Sequence, residues 1–325
     1  MTAPTRAVAT AQAPWRFAAP WGAQSYLSDL DGPGASRVHW VEFDTSPTNE
    51  TPIVYVHGLG GSHLNWTLVG TQLAQGRRAV ALDLHGFGMT PGTRANSTVQ
   101  ANQKLLDRFI RDIVGTPVIL VGNSMGGLIS IIQAATNPSS VRGMVLMDPA
   151  LPLPPQKPDP AVALQFLLYT VPGLGELYVS RMLARRSPEQ AVQQVIELCF
   201  ADPSRADPKL VEASVALVAH RVGERQGDRK VGRATDQAFL SASRSLMRLV
   251  GLRRRYWDMM ASIQVPVLLI GGDADRLVPV AAVRQAGARL PRWDTVVLAG
   301  VGHTPQLEVP EQTTGLVRDW LSENL

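Results

Sequence analysis

Three residues far apart in the chain could together perform acyl chemistry: a serine at 124, a carboxylate at 275 and a histidine at 303. Ser124 lies in Gly122-Asn123-Ser124-Met125-Gly126, directly after the apolar run Val118-Ile119-Leu120-Val121 and before the helical pattern Leu128, Ile129, Ile131, Ile132. Such a run reads as a strand buried on both faces, and turning it into a helix within a few residues forces a tight bend. Gly122 and Gly126 keep Cβ atoms out of that crowded turn, leaving the serine hydroxyl at its tip, near a helix N-terminus. Free backbone N–H groups at such a terminus can stabilise a developing oxyanion. A serine hydroxyl is a weak nucleophile at neutral pH, so it also needs an adjacent base, oriented in turn by a third group.

Two later loops supply those partners. Gly271-Gly272-Asp273-Ala274-Asp275 follows the strand pattern Val267 to Ile270, and Gly300-Val301-Gly302-His303 follows Val296 to Leu298. Both fall after strand C-terminal ends, the edge where open α/β sheets hold their ligands. Asp273 and Asp148 stand as rival acids, and His57, His63 and His85 as rival bases on the same edge. His39 and His220 read as surface or packing residues, and Cys199, within the apolar run Val195 to Phe200, as a core thiol. No histidine, cysteine and carboxylate set has metal-ligand spacing, and Gly86-Phe87-Gly88 is too short to cradle a phosphate, so neither a metal nor another cofactor is expected.

The elements that must carry these residues follow a regular alternation. Ser36 to Phe43 alternates like an edge strand, and Pro52 to Val56, Arg78 to Leu82 and Gly143 to Met147 read as further strands. Leu64 to Leu73 and Val99 to Val114 have helical spacing. Strands alternating with helices in this way imply an α/β protein with a mostly parallel, doubly wound sheet. After Asp148-Pro149 the pattern breaks into a proline-dense stretch, and from Ala161 to about Met260 the chain reads as helices only. Strands resume at Val265 to Ile270 and Thr295 to Leu298, followed by an amphipathic helix over Glu311 to Leu321. The expected organisation is a loosely ordered N-terminal extension (1–36) with Trp15, Phe17 and Trp21 touching the body, an α/β core in two parts (37–150 and 259–325), and a helical insertion (151–258).

His57-Gly58-Leu59-Gly60, Gly122-Asn123-Ser124-Met125-Gly126, Gly272-Asp273-Ala274-Asp275-Arg276-Leu277-Val278-Pro279 and Gly302-His303 occur in that order. With them the chain resembles the α/β-hydrolase superfamily from about residue 37 to the end, the insertion excepted. The resemblance implies the α/β-hydrolase fold, with a mostly parallel central sheet and the insertion as a helical cap. It implies that Ser124 attacks, that His303 is general base and then general acid, and that Asp275 orients the imidazole. The backbone N–H groups of Leu59 and Met125 correspond to the oxyanion hole. Asp275 fits the family's Gly-x-x-Asp-x-x-x-Pro spacing to Pro279, which leaves Asp273 to hold the turn. His57 resembles the histidine that braces the oxyanion loop, and His85 stands where relatives often carry proline. Family members that open epoxides or displace halide use aspartate where this chain has Ser124. That leaves acyl chemistry, or serine-dependent cleavage of C–C bonds in vinylogous diketones. The elbow Asn123 to Gly127 resembles that of the C–C hydrolases, but Thr304-Pro305 follow His303 where those enzymes commonly carry an aromatic residue. No counterpart of their cap arginine stands out.

The expected function is a serine hydrolase cleaving carboxylic esters with moderately hydrophobic acyl groups through an acyl-enzyme on Ser124. Two alternatives are a C–C bond hydrolase and a ligand-binding sensor that keeps the triad; acyl transfer or perhydrolysis depends on how far water is excluded. The insertion would act as a lid, with Leu164, Phe166, Leu167, Leu168, Tyr169, Leu174 and Leu177 offering apolar lining; Phe166, Leu167 and Tyr169 are the chosen substrate contacts.

At 325 residues the chain can bury a large core. One cysteine excludes an internal disulfide, and the first residues lack the apolar stretch of a secretory signal. No window reaches about 18 uninterrupted apolar residues. These features point to a cytoplasmic protein without an integral membrane segment; peripheral membrane contact and oligomeric state stay open. A net charge of +4 with a single dense cluster, Arg253-Arg254-Arg255, suits a solvated helix face better than a nucleic-acid site. The partner expected is a small-molecule ester or related acyl compound.

Overall fold

The structure, a computed structural model, describes residues 10–30, 36–44, 50–74, 76–152 and 159–325. Its strands are β1 (Thr10–Gln12), β2 (Gln24–Leu30), β3 (Ser36–Asp44), β4 (Ile53–Val56), β5 (Ala79–Leu82), β6 (Val118–Asn123), β7 (Val141–Met147), β8 (Val267–Gly272) and β9 (Asp294–Leu298). They form one sheet in the order β1-β2-β3-β5-β4-β6-β7-β8-β9. The three N-terminal strands are antiparallel, and β5, β4, β6, β7, β8 and β9 run parallel. Strands β4 and β5 and the first four residues of β6 are apolar and buried throughout because both faces are covered. Val54, Val56, Val118 and Leu120 point into the core on one side, and Ile53, Tyr55, Ile119 and Val121 into the core on the other.

Helices α2 (Val99–Phe109), α3 (Met125–Thr136) and α10 (Val280–Arg289) cover the first face, and α1 (Gly70–Ala74) and α12 (Pro310–Asn324) the second. Between β7 and β8 the described chain has no strand. It forms α4 (Pro160–Thr170), α5 (Leu174–Arg185), α6 (Pro188–Cys199), α7 (Pro208–Gly227), α8 (Arg229–Gly251) and α9 (Arg253–Ala261). Asp159-Pro160, Ser187-Pro188 and Asp207-Pro208 each open a helix: the polar side chain accepts from first-turn N–H groups, and the proline takes a position that needs no donor. The prolines at 154, 155 and 158 lie outside the described residues. Arg253, Arg254 and Arg255 are exposed on α9. No single helix among the described residues is long and apolar enough to cross a membrane.

The N-terminal segment differs from its expected loose order. Residues 10–30 contribute β1 and β2, and β2 pairs with β3 over seven residues. Trp15, Phe17 and Trp21 pack on the second core. Antiparallel strands at a sheet edge are held by backbone pairing, so a mixed, Ala-rich composition does not prevent them.

Candidate active site

The β6–α3 junction bends as the glycine spacing requires. Ser124 has φ 55 and ψ −120, a backbone conformation that costs a non-glycine residue about 1–3 kcal/mol and persists only where the surroundings enforce it. A Cβ on Gly122 would lie 2.7 Å from the Gly126 carbonyl oxygen, and one on Gly126 would collide with the Val56 carbonyl oxygen. The bend is therefore wedged between β4 and its own helix, and the hydroxyl faces a cavity. Gly58 comes close on the other side: a Cβ there would sit 3.0 Å from Ser124 Cβ. Leu59 lines the cavity beside Ser124, and Met125 opens α3 with its side chain fully buried in the core. Amides in the first turn of a helix have no acceptor four residues earlier.

His303 and Asp275 meet as a pair: the ring Nδ1 lies 2.7 Å from Asp275 Oδ2, and both residues are buried. The second oxygen, Asp275 Oδ1, accepts the Leu277 and Val278 amides at 2.7 and 3.1 Å. A carboxylate so bound accepts the Nδ1–H hydrogen bond and leaves Nε2 as the free ring acceptor. His303 and Ser124 line the same cavity, although the ring and the hydroxyl form no hydrogen bond in this structure. Such bonds commonly close only when substrate is bound. The Asn123 side chain ties the two loops together, donating to the carbonyls of Met147 (2.9 Å) and His303 (3.0 Å).

The rival acids have other tasks. Asp273 is exposed and accepts the Gly300 amide at 2.7 Å, bridging two loops rather than closing its own turn. Asp148 is fully buried with φ 43 and accepts the Gly272 amide at 2.9 Å, while its other oxygen has no partner. Burial, with the charge of Asp275 added, raises its pKa well above the ordinary carboxylate value.

The rival bases are likewise occupied. His57 donates Nδ1–H to the Gly58 carbonyl at 2.8 Å and accepts the Leu84 amide at 3.0 Å, bracing the loop at Gly58. Burial lowers its pKa to about 4. His85 is similarly lowered to about 4 by burial. His63 joins His39, which is fully buried rather than on the surface, at the carboxylate of Asp83. Asp83 also accepts the backbone amides of His63 and Met89, both at 2.7 Å. Burial opposes its charge, but the attraction of His63 and the hydrogen bonds from both rings outweigh it and hold the pKa well below the usual range. The ligand atoms of His39, His63 and Asp83 lie within 4.8 Å of one another, the one such group among the described residues that could hold a metal. No local spacing shows it, because the three come from β3 and two different loops. Here both Nδ1 atoms are engaged by Asp83 as hydrogen-bond donors.

A further buried carboxylate, Glu308, escapes any motif in the sequence. It accepts the Gly302 amide at 2.7 Å, the Ala201 and Asp202 amides at about 3 Å, and Arg205 Nη1 at 3.1 Å. The His303 amide donates to the Cys199 carbonyl at 2.6 Å. The end of α6 is thus fastened to the histidine loop from both sides. Cys199 lies on the cavity wall rather than wholly in the core. Burial, aided by the Asp275 charge, pushes its thiol up to about 12.

The cavity encloses about 980 Å³. Phe166, Leu167 and Tyr169 line it, with Val192, Leu217 and Phe239 from α6, α7 and α8. Leu164, Leu168, Leu174 and Leu177 do not line it; Leu164, Leu174 and Leu177 are exposed to solvent instead. Arg221 on α7 reaches the core, donating to the Gly86 carbonyl at 2.7 Å.

Comparison with known proteins matches residues 53–315 to the model of the Alpha/beta hydrolase family. The dihydrolipoyllysine-residue acetyltransferase component of the acetoin cleaving system of Pseudomonas putida is 26% identical over 309 residues, covering 91% of this chain and 72% of that protein. A 2-hydroxy-6-oxononadienedioate/2-hydroxy-6-oxononatrienedioate hydrolase of Cupriavidus pinatubonensis is 24% identical over 310 residues, covering 92% and 96%. The solved structure of a putative lipase from Acinetobacter baumannii superposes with a TM-score of 0.72 at 19% identity, covering 96% of this chain and 98% of that one.

Proposed function

The chain belongs to the alpha/beta hydrolase family, and on that premise we propose that it is a serine hydrolase cleaving carboxylic esters of moderately hydrophobic acyl groups. The observation that carries this reading is the 2.7 Å His303–Asp275 contact on the wall of the cavity that also receives Ser124 from its strained bend. In this reading His303 Nε2 takes the Ser124 proton as the hydroxyl adds to the ester carbonyl. The Leu59 and Met125 amides receive the oxyanion, and His303 returns the proton to the departing alcohol. Water, activated by the same imidazole, then releases the acid. Asp275 fixes the tautomer and balances the imidazolium charge. The helices from α4 to α8 serve as the cap, and their apolar lining selects the acyl chain through Phe166, Leu167 and Tyr169. No cofactor enters this scheme. A cytoplasmic setting, which a single cysteine suits, belongs to the same proposal.

A p-nitrophenyl ester series, run with intact and Ser124→Ala protein, tests it. Turnover should rise from acetate to medium chains and vanish in the variant; a steady fall from acetate onward refutes the acyl preference. The likeness to the Cupriavidus enzyme favours a second reading, C–C bond hydrolysis, which predicts turnover of a coloured meta-cleavage dienoate without ester turnover. Labelling of Ser124 by a fluorophosphonate with negligible turnover of either substrate, and large thermal stabilisation by ligand, would favour a sensor.

A further inference from the structure

Residues Ala161 to Gly175 contain no charged side chain. A helix apolar on all sides is ordinarily buried in a core or a membrane. Yet α4 buries only Val162 and Tyr169. Its inner side, with Phe166, packs on Phe239, Val179 and Leu240 and lines the cavity. Its outer side is bare: Leu164 is 58% exposed, and the next turns add Val171, Leu174 (53%) and Leu177 (46%), while Leu167, 59% exposed, also lines the cavity. Five of the nine exposed large apolar side chains among the described residues thus fall within fourteen positions. Scattered apolar side chains are normal on a protein surface, but a clustered patch of this kind marks a contact site.

The charge around the patch is one-sided. Glu176, the only carboxylate from residue 160 to 188, is bonded to Arg244 at 2.9 Å and to the Gly173 amide at 2.8 Å. Asp159, just before α4, is bonded to Arg276 and to the first amides of its helix. Both acids are thereby occupied. Arg181 is exposed on α5 with no carboxylate in ion-pair range among the described residues, whereas Arg186 lines the cavity. An apolar patch with an arginine at one end matches a phospholipid surface, acyl chains beneath and phosphates above. A second copy of the chain fits less well, since a two-fold interface on this patch would set the same arginine against its own copy. The helices meet at 115°, so neither threads a bilayer; they would lie along it.

We propose that the outer face of α4 and α5 docks on anionic phospholipid membrane surfaces, with Leu164, Val171, Leu174 and Leu177 entering the interface and Arg181 meeting lipid phosphates. Because α4 also walls the cavity, docking would bring the cavity mouth to the layer where apolar esters dissolve. Docking itself goes beyond the hydrolase reading and does not depend on Ser124.

Co-sedimentation with vesicles of phosphatidylcholine alone, or mixed with phosphatidylglycerol, tests it using the full chain. The intact protein should bind the mixed vesicles, with binding several-fold weaker on phosphatidylcholine or in 0.5 M salt. Leu164→Gln/Leu174→Gln/Leu177→Gln should cut binding about tenfold or more, while its thermal unfolding and its turnover of a soluble ester stay unchanged. These three side chains do not line the cavity. Arg181→Glu should weaken the preference for anionic lipid several-fold. Absence of binding to either vesicle overturns the proposal. So does binding that the leucine variant retains, or a concentration-dependent dimer that the leucine variant dissolves in place of vesicle binding. A Ser124→Ala protein should bind vesicles as the intact protein does, so failure of the hydrolase reading and failure of docking are told apart.

Discussion

The Asn123 side-chain amide donates to the His303 backbone carbonyl at 3.0 Å. The residue preceding the candidate nucleophile therefore holds the loop that carries the candidate base, across 180 positions of sequence. Strand β7 shares the grip through the Met147 carbonyl. Relative placement of hydroxyl and imidazole is thus built into the core and does not depend on the insertion alone.

Ser124→Ala should reduce ester turnover by roughly 10³- to 10⁶-fold, since members of a triad act as a unit. Folding should be retained, because alanine adds no atom to the bend. Steady-state kinetics with a far-UV dichroism spectrum of the variant checks both, and a loss under tenfold would remove Ser124 from the chemistry.

The two neighbouring acids should separate cleanly. Asp275→Asn removes the charge that fixes and balances the imidazole and should lower kcat by about 10⁴. Asp148→Asn replaces a carboxyl whose burial favours its neutral form and should stay within about tenfold. Asp148 also predicts a stability trend. The unfolded chain releases this proton above its ordinary value of 3.8, whereas the folded chain retains it far higher. Stability from this group is therefore lost as pH rises from the carboxylate range through the folded value, and Asp148→Asn should flatten that fall. Urea midpoints across the pH range, for both proteins, provide the measurement.

Glu308→Ala should cost about 2 kcal/mol or more, because it strands the buried Gly302 amide and removes the partner of the Ala201 and Asp202 amides and of Arg205. With His303 loosened through Gly302, kcat should fall much more than KM changes. Urea unfolding and a kcat–KM comparison settle it; a stability loss with kcat untouched would show that Glu308 serves the insertion alone.

Acid should destabilise the protein well before its carboxylates titrate. His57 and His85 are held neutral by burial, with pKa values near 4 against an ordinary 6.5. Between those values the unfolded chain binds protons that the folded chain refuses, so stability drops as pH falls from about 6.5 to about 4. Each group contributes up to about 3 kcal/mol to that drop. Urea midpoints at pH 7 and pH 4.5 should differ strongly, and less so in His85→Gln.

The bend at Ser124 and the loops of Asp275 and His303 were legible in the sequence because each is a short local motif following an apolar strand. Asp275 stands out from Asp148 in the sequence by its spacing to Pro279, and in the structure it is the carboxylate that meets His303 Nδ1. Glu308 and the Asn123 amide were not legible, since their partners are mostly backbone groups from distant segments, which leave no side-chain signature; Asp83 was not, because its two histidine partners come from separate elements. Strands β1 and β2 were hidden for a related reason: pairing, not apolar alternation, holds them. Leu164, Leu174 and Leu177 were assigned inward because an all-apolar helix carries no sign of which side meets the core.

Asp83 joins strand β3, the loop after β4 and the loop after β5 through one carboxylate with four donors. Half of the rim is thereby stiffened during folding, and a substrate arriving there need not spend its own affinity on ordering that half. Adaptation to acyl groups of different shape must then come from the opposite, helical side. Changes of specificity should accordingly be sought among the helices facing the rim, where a substitution alters fit without disturbing the machinery beneath.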